Sequence, residues 1–143
     1  WIPDRDTFIL EDIRWDGRGK YVDSICPTCR VEPANYRCEE CEGGQLLCQE
    51  CMVESHRLNS LHRVKFWNGT FFEKKSLKSL GLRIQLGHRV GEYCINPKPA
   101  FADGFVVVHI NGIHDVALDF CDCETAQITI TQLLRHRWFP ATV

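Results

Sequence analysis

Cys26-Pro-Thr-Cys29, Cys38-Glu-Glu-Cys41 and Cys48-Gln-Glu-Cys51 follow one another in a single stretch of the chain, which closes with His56 and His62. Each Cys-x-x-Cys pair can close on one metal ion from a tight turn, and a tetrahedral Zn²⁺ ion takes four ligands. Eight such ligands therefore predict two bound zinc ions. Disulfide frameworks do not repeat this spacing and rarely include histidines, which argues against paired cysteines.

The order of the eight ligands leaves two assignments open. In an interleaved cross-brace, one ion is held by Cys26, Cys29, Cys48 and Cys51, and the other by Cys38, Cys41, His56 and His62. In sequential filling, the first two pairs share one ion, and Cys48, Cys51, His56 and His62 hold the other. The pattern resembles B-box and ZZ-type zinc modules, in which interleaving is the rule, so we favour the cross-brace. A RING pattern fits less well, because it closes with a cysteine pair rather than two histidines.

Length and composition suit a small zinc module joined to a second lobe. The chain has 143 residues, of which 44% are hydrophobic, enough for a modest core that metal would supplement. It begins at Trp1 and ends inside an apolar segment, so we expect a fragment of a longer protein. No apolar run approaches about 18 residues and no signal peptide is visible, which predicts a soluble intracellular protein in a reducing compartment, without membrane contact.

Charge is unevenly distributed along the chain. Residues 1–56 carry 6 basic and 12 acidic side chains, residues 57–89 carry 8 and 1, and residues 90–143 carry 3 and 6. Six thiolates outweigh the charge of two zinc ions, so the loaded double-zinc module is more negative than its formal count. Any contact with nucleic acid would therefore have to use the basic 57–89 segment.

The first half of the chain predicts two helices and a strand. Residues 4–14 suggest a short amphipathic helix whose apolar side chains, Phe8, Leu10 and Ile13, would dock on the body. Residues 63–67 suggest a strand, and the capping-box form of Thr70-Phe-Phe-Glu73 predicts a helix that stops at Gly81. On that helix Lys74, Lys75 and Lys78 would share one side, as a phosphate-contacting face or simply a solvated surface.

The second half predicts β structure. Residues 82–86 suggest a strand, and residues 105–120 suggest a hairpin turning at Asn111-Gly112, with Ile110 opposite Ile113 and His109 opposite His114. One face of the hairpin would then be mostly core: Phe105, Val107, His109, His114, Val116, Leu118 and Phe120. Residues 132–139 suggest a final helix, although residues 128–130 could extend a strand.

A second cysteine cluster remains once the first module is filled. Cys94, Cys121 and Cys123 need one histidine to complete a third zinc site. His114 lies roughly 23 Å from Cys121 along a continuous strand, at about 3.3 Å per residue, whereas His88 precedes Cys94 in a segment bent by glycines. We therefore expect His88 as the fourth ligand and a stacked surface pair at His109 and His114. Three buried free cysteines are the alternative.

Several motifs in order resemble the CxC-type cysteine-cluster region associated with KDZ (Kyakuja–Dileera–Zisupton) transposases. The resemblance rests on Gly17-Arg-Gly19, Cys26-x-x-Cys29, Tyr36-Arg-Cys38-x-x-Cys41, Leu47-Cys48-x-x-Cys51, His62, Trp67-x-Gly69, Phe71-Phe72, Leu80-Gly-Leu82, Gln85-Leu-Gly-His88, Gly112-Ile-His114, Phe120-Cys-x-Cys123 and Gln132-Leu-Leu134 through Trp138-Phe-Pro-Ala-Thr142. It implies a metal-binding region that precedes a separate catalytic domain, and hence a nuclear protein.

We therefore expect a small α+β zinc-binding fold: an N-terminal helical arm over residues 1–24, a B-box/ZZ-like double-zinc module over 25–66, and a β-hairpin-rich lobe with short helices over 67–143. The expected function is a non-catalytic accessory region of a KDZ-type DNA transposase that contacts DNA or other protein subunits and binds no small-molecule substrate. No catalytic constellation stands out, and we interpret Asp103, Asp115, Asp119 and Asp122 as surface carboxylates. The alternative function is a peptide- or protein-recognition module of a ubiquitin-pathway or scaffold protein, but such B-box proteins commonly continue into a coiled coil.

Overall fold

The computed structural model describes residues 2–21 and 25–141. The predicted small α+β class is confirmed: short, mostly antiparallel strands and a few helices surround Cys/His clusters. Two compact units are present, one formed by residues 1–54 and 62–75 and the other by residues 55–61 and 76–143. The predicted division at residues 24 and 67 stays a prediction, and residue 24 lies outside the described residues.

The regular elements are α1 (Arg5–Asp16), β1 (Tyr36–Cys38), β2 (Leu46–Leu47), α2 (Gln49–Ser55), β3 (Val64–Trp67), β4 (Phe72–Lys75), β5 (Arg83–Gln85), β6 (Pro97–Pro99), β7 (Phe105–His109), β8 (Gly112–Cys121) and α3 (Thr129–Arg135). Short 3₁₀ turns occupy Ile2–Asp4, Glu42–Gly44 and Phe101–Asp103. Every helix within the described ranges is too short or too polar to span a membrane.

The first unit is built on an antiparallel sheet in the order β2-β1-β3-β4. Strand β1 pairs Arg37 with Lys65 of β3 and with Leu46 of β2, so it lies inside the sheet. A small core of Cys26, Ala34, Leu46 and Cys48 packs beside it. Apart from cysteines, the buried apolar side chains among the described residues of this unit are Ala34, Leu46, Met52 and Val64, so metal ligation has to supply much of its stability.

The second unit is organised around β8, the longest strand. It pairs in parallel with β5 and in antiparallel fashion with β6 and β7. The core comprises Ile84, Leu86, Ala100, Val116, Leu118, Phe120 and Leu133, with Phe105, Val107 and Trp138 packed against it. The predicted apolar face of the hairpin is therefore largely core, and the predicted strands at residues 63–67 and 82–86 are confirmed as β3 and β5.

The predicted helix over residues 70–81 is wrong. The side chain of Asn68 accepts hydrogen bonds from the N–H groups of Thr70 and Phe71, which closes a turn and returns the chain as β4. Trp67 then lies opposite Phe72, with ring centroids 5.0 Å apart. Cross-strand aromatic packing and the asparagine turn therefore prevail over the capping-box pattern.

The hairpin register is also shifted from the predicted one. His109 lies opposite Gly112 and Val107 opposite His114, so Ile110 and Asn111 form the turn. Asn111 donates a hydrogen bond from Nδ2 to the carbonyl of Leu61, 2.9 Å away, and its Oδ1 lies 2.8 Å from Nε2 of His114. These contacts hold the asparagine in the turn. The shift in register leaves each side chain on the face of the hairpin that was predicted for it.

The termini differ from expectation as well. The helix α1 extends to Asp16, but Phe8, Leu10 and Ile13 are 54%, 65% and 61% exposed, so they do not form part of a buried core. The C-terminal helix α3 begins at Thr129 and ends at Arg135, earlier than predicted, because the Trp138 N–H donates to the carbonyl of Leu133 and turns the chain back onto the core. Thr142, the end of the last quoted motif, lies outside the described residues.

Candidate metal centres

The structure brings the twelve predicted ligands together in three groups of four. The groups are Cys26, Cys29, Cys48 and Cys51; Cys38, Cys41, His56 and His62; and His88, Cys94, Cys121 and Cys123. Within each group the ligand atoms all lie within 4.8 Å of one another. The first two groups have the interleaved order of a cross-brace, and the sequential arrangement is not the one observed.

The spacing of the ligand atoms fits tetrahedral zinc. With Zn–S bonds of about 2.3 Å and Zn–N bonds of about 2.0 Å, two sulfurs lie about 3.8 Å apart, and a sulfur and a nitrogen about 3.5 Å apart. The sulfurs of Cys29 and Cys48 are 3.8 Å apart, as are those of Cys94 and Cys123. Nδ1 of His62 lies 3.4 Å from the Cys38 sulfur. All nine cysteines are free thiols, so these distances describe metal-ligand sets rather than disulfides.

Two local structures present the first group. The N–H of Arg30 donates to the carbonyl of Cys26 over 2.8 Å, and Arg30 adopts a φ of 59°, which bends the chain sharply after Cys29. The second pair lies at the start of α2, where the N–H of Cys51 points at the Cys48 sulfur over 3.4 Å. Backbone N–H groups aimed at sulfur favour the thiolate form that binds metal.

The second group combines the end of β1 with two histidines. Cys38 ends the strand, and His62 precedes β3, its antiparallel partner. His56 is 2% exposed, and its Nδ1 lies 3.0 Å from the Ser55 hydroxyl, a contact that helps to orient the ring. Glu40 accepts hydrogen bonds from Arg63 at both its backbone N–H and its guanidinium, 2.7 and 2.6 Å away, and so ties the Cys38–Cys41 turn to the residue after His62.

The third group is held by a polar scaffold in the second unit. The N–H of Cys94 donates to Oε1 of Gln85 over 2.8 Å, and the Gln85 amide donates to the carboxylate of Asp119 over 3.2 Å. Asp119 is 2% exposed and accepts two hydrogen bonds from the Arg83 guanidinium. The interpretation of Asp119 as a surface carboxylate is therefore wrong, because this acid is buried in an ion pair that supports the cluster.

Gln132 and Gly87 fix the position of Cys121. The Gln132 side chain accepts from the N–H of Cys121 and donates to its carbonyl, both over 2.9 Å. Gly87 has a φ of +85°, and a Cβ atom there would lie 2.5 Å from the Cys121 Cβ. Glycine thus lets the His88 backbone approach the cysteine closely enough to share a metal ion.

The pKa values of thiols in the first two groups favour a cation among them. Burial of Cys38 raises its pKa to about 12, and proximity to the Cys48 thiol raises the pKa of Cys51 to about 12. Burial also opposes ionisation of Cys26, but backbone N–H groups prevail and lower its pKa to about 6. In the first group, one thiol therefore ionises readily while another resists, and in the second group burial of Cys38 opposes ionisation; a divalent cation would favour the thiolate form in both.

The predicted stacked pair of hairpin histidines and the predicted lysine face both differ in the structure. The rings of His109 and His114 are 6.2 Å apart in an edge arrangement near the hairpin turn. Lys74 and Lys75 are neighbours on β4 and therefore point to opposite faces, and Lys78 pairs with Asp115 over 2.7 Å. The predicted one-sided lysine face is wrong, since it required a helix that the chain does not form.

Sequence reasoning missed the supporting residues around the ligands. Gln85 and Gln132 lie in motifs that carry the family resemblance, yet spacing alone could not assign them to Cys94 and Cys121. Trp15 and Gly44 were missed too: a Cβ on Gly44 would lie 2.0 Å from the Trp15 ring. A glycine pair at Gly43-Gly44 beside metal ligands was the available signal.

Comparison with known families agrees with this geometry. Residues 22–66 match the B-box zinc finger model, and residues 77–143 match the model described as CxC2 like cysteine cluster associated with KDZ transposases. No curated protein and no solved structure gave a match.

The fold and the three clusters therefore define a zinc-binding accessory region. More specifically, residues 22–66 are similar to a B-box zinc finger and residues 77–143 to the CxC2 like cysteine cluster associated with KDZ transposases, so the predicted resemblance is confirmed for both segments.

Proposed function

We propose that this chain is a non-catalytic accessory region of a KDZ-type DNA transposase and that it contacts another protein through α1. The observation that carries the proposal is the exposure of this helix. None of the described residues of α1 is buried, and Phe8, Ile9, Leu10 and Ile13 are between 49% and 65% exposed. Apolar side chains grouped on one exposed element are typical of a protein-binding surface.

The end of α1 is nevertheless firmly anchored. The guanidinium of Arg37 lies 4.3 Å from the Phe72 ring centroid and 5.2 Å from that of Trp15, and its Nη1 donates to the Trp15 carbonyl over 2.8 Å. Gly44 provides the space for the Trp15 ring. The anchor favours a fixed helix that presents its apolar side chains, rather than a freely moving arm.

The charge of α1 indicates the chemistry of the partner. Arg5 and Arg14 pair with Asp6 and Glu11 on the helix itself. Asp4, Asp12 and Asp16 make no ion pair with any residue in the described ranges, so the helix and its cap present uncompensated negative charge. A partner that fits α1 has an apolar groove with a basic rim, and α1 would lie in this groove.

Contact with DNA has less support, although residues 57–89 carry 8 basic side chains and 1 acidic one. Five of these eight cations are paired within the protein: Lys65 with Glu39, Arg63 with Glu40, Lys75 with Glu73, Lys78 with Asp115, and Arg83 with Asp103 and Asp119. Cations already paired release few counterions on meeting a phosphate backbone. The nuclear location implied by the family remains part of the proposal; exclusion of a tagged full-length protein from the nucleus would contradict it.

Site-specific photo-crosslinking in the full-length protein tests the α1 contact. A photoreactive residue replaces Ile13. In the matched control, the same photoreactive residue replaces Ile95, which is 91% exposed in the second unit. We expect protein adducts at position 13 that decrease with added salt and disappear when Ile9 and Leu10 are changed to Asp. Equal adducts at both positions, or adducts to DNA alone, would overturn the proposal.

A further inference from the structure

A cavity of about 630 Å³ lies beside the third cluster. Its wall includes His88, Cys121 and Cys123 and continues through neighbouring residues of the 86–92 and 121–127 segments and of α3. This volume far exceeds that of one ion and falls within the range of pockets that bind organic ligands, about 300–1,000 Å³. The B-box and CxC2 assignments give it no role.

Two arginines give the cavity its charge. Arg89 and Arg135 line it, and both residues are exposed. Neither guanidinium makes a hydrogen bond or ion pair with any other residue of the described chain. Glu92 is the single acidic residue of the lining, and its carboxylate faces the backbone N–H of Arg89 at 3.3 Å. A planar guanidinium without a partner is suited to bind a carboxylate or phosphate through two hydrogen bonds.

The side of the cavity formed by the third cluster carries negative charge, in contrast to the two arginines. Three thiolates and one imidazole around Zn²⁺ leave one negative charge on the cluster, and zinc-bound sulfurs accept hydrogen bonds from N–H groups. The cavity therefore offers both donors and acceptors. A peptide supplies the matching groups, since its backbone N–H groups can reach sulfur while an acidic side chain reaches an arginine.

A nucleic acid matches less well. It offers phosphates to the arginines but a continuous negative charge to the rest of the surface, where residues 90–143 carry 3 basic and 6 acidic side chains. Repulsion from that surface and from the zinc-thiolate cluster would oppose a long polyanion. A single carboxylate that enters between Arg89 and Arg135 avoids this repulsion.

We propose that this cavity binds an acidic peptide segment, with a Glu or Asp side chain held by Arg89 and Arg135 and the peptide backbone directed at the cluster. The site is independent of α1, and it remains if α1 contacts nothing. The third zinc ion then has a second role, because it shapes one wall of a binding site as well as stabilising the lobe.

Amide NMR of the zinc-loaded chain tests the proposal. The probe is a short, capped, glutamate-rich peptide, and the control probe is the same peptide with glutamine in place of glutamate. We expect shifts confined to the three lining segments with the glutamate peptide. Changing Arg89 or Arg135 to Gln should weaken its binding about tenfold, whereas Lys98→Gln, an equal charge loss on β6 outside the lining, should leave it unchanged.

Zinc content measured on each variant shows that the third cluster is retained. Equal binding of both peptides, or equal losses in all three variants, would overturn the carboxylate assignment. Inorganic phosphate that displaces the peptide at comparable concentration would assign the site to free oxyanions, and tighter binding of a short DNA duplex would assign it to nucleic acid. No shift at the lining residues with any probe would remove the cavity as a site.

Discussion

At the residue scale, the fourth ligand of the third cluster is the most specific assignment. His88 groups with Cys94, Cys121 and Cys123, whereas Nε2 of His114 lies 2.8 Å from Oδ1 of Asn111 in the hairpin. We predict that His88→Ala removes one zinc equivalent and loosens the second unit, while His114→Ala leaves the zinc count unchanged. Native mass spectrometry measures both, and zinc loss in the His114 variant alone would contradict the assignment.

We predict that replacing Gly87 destabilises the protein for two reasons: its positive φ and the lack of space for a side chain. Gly81→Ala is the matched control, because Gly81 also has a positive φ, +105°, but open space around it. Gly81→Ala should cost about 1 kcal/mol of backbone strain. Gly87→Ala should cost about 3 kcal/mol, since the new methyl group also displaces Cys121. Urea unfolding at fixed free zinc compares the two, and equal losses would remove the steric argument.

The buried ion pair of Asp119 should make the stability of the protein depend on pH. The hydrogen bonds from Arg83 lower the pKa of Asp119, burial opposes them, and Gln85 adds to the lowering. A carboxyl with a lowered pKa in the folded state stabilises the protein above its unfolded pKa of about 3.9, and this contribution is lost as pH falls through the folded pKa.

Asp119→Asn should therefore reduce the free energy of unfolding by about 2 kcal/mol at pH 7. The difference from the parent chain should shrink as the pH falls below about 4, because the parent carboxyl then becomes protonated too. Zinc ligands titrate in both proteins, so comparing the two at each pH removes their contribution. A difference that does not change with pH would show that the carboxylate charge is unimportant.

At the element scale, β4 decides how the basic segment can act. Lys74 and Lys75 lie on opposite faces of a strand, and Lys78 is held by Asp115. We predict that Lys74→Glu and Lys75→Glu together change the affinity for duplex DNA by less than about threefold at low salt. A mobility-shift titration measures it. A loss of about tenfold or more with a reduced salt slope would restore the DNA-binding hypothesis.

The observed strands show which parts of the fold could be predicted from the sequence. Periodicity and turn chemistry located β3, β5 and the β7–β8 hairpin, because each has a strong local pattern. They misplaced β4, since the pairing of Trp67 with Phe72 is a contact between strands that a capping-box pattern does not encode. The grouping of the cysteines and histidines was easier to predict than the elements, because zinc coordination restricts residue type and spacing more tightly than strand formation does.

At the scale of the whole molecule, metal replaces much of the missing hydrophobic core. Within the described ranges, the first unit buries four apolar side chains other than cysteine, namely Ala34, Leu46, Met52 and Val64. The second has a larger core, yet its third cluster ties the 86–94 segment to the end of β8. Removing zinc should therefore unfold the first unit and leave the second partly ordered, a difference that circular dichroism during chelator titration can follow.

The central claim is that three tetrahedral zinc ions organise this chain. Native mass spectrometry combined with X-ray absorption at the zinc edge tests it most directly. The account predicts three zinc equivalents with an average first shell of three sulfurs and one nitrogen, from nine cysteines and three histidines in the three groups. Two equivalents or fewer, or a first shell rich in oxygen, would contradict it.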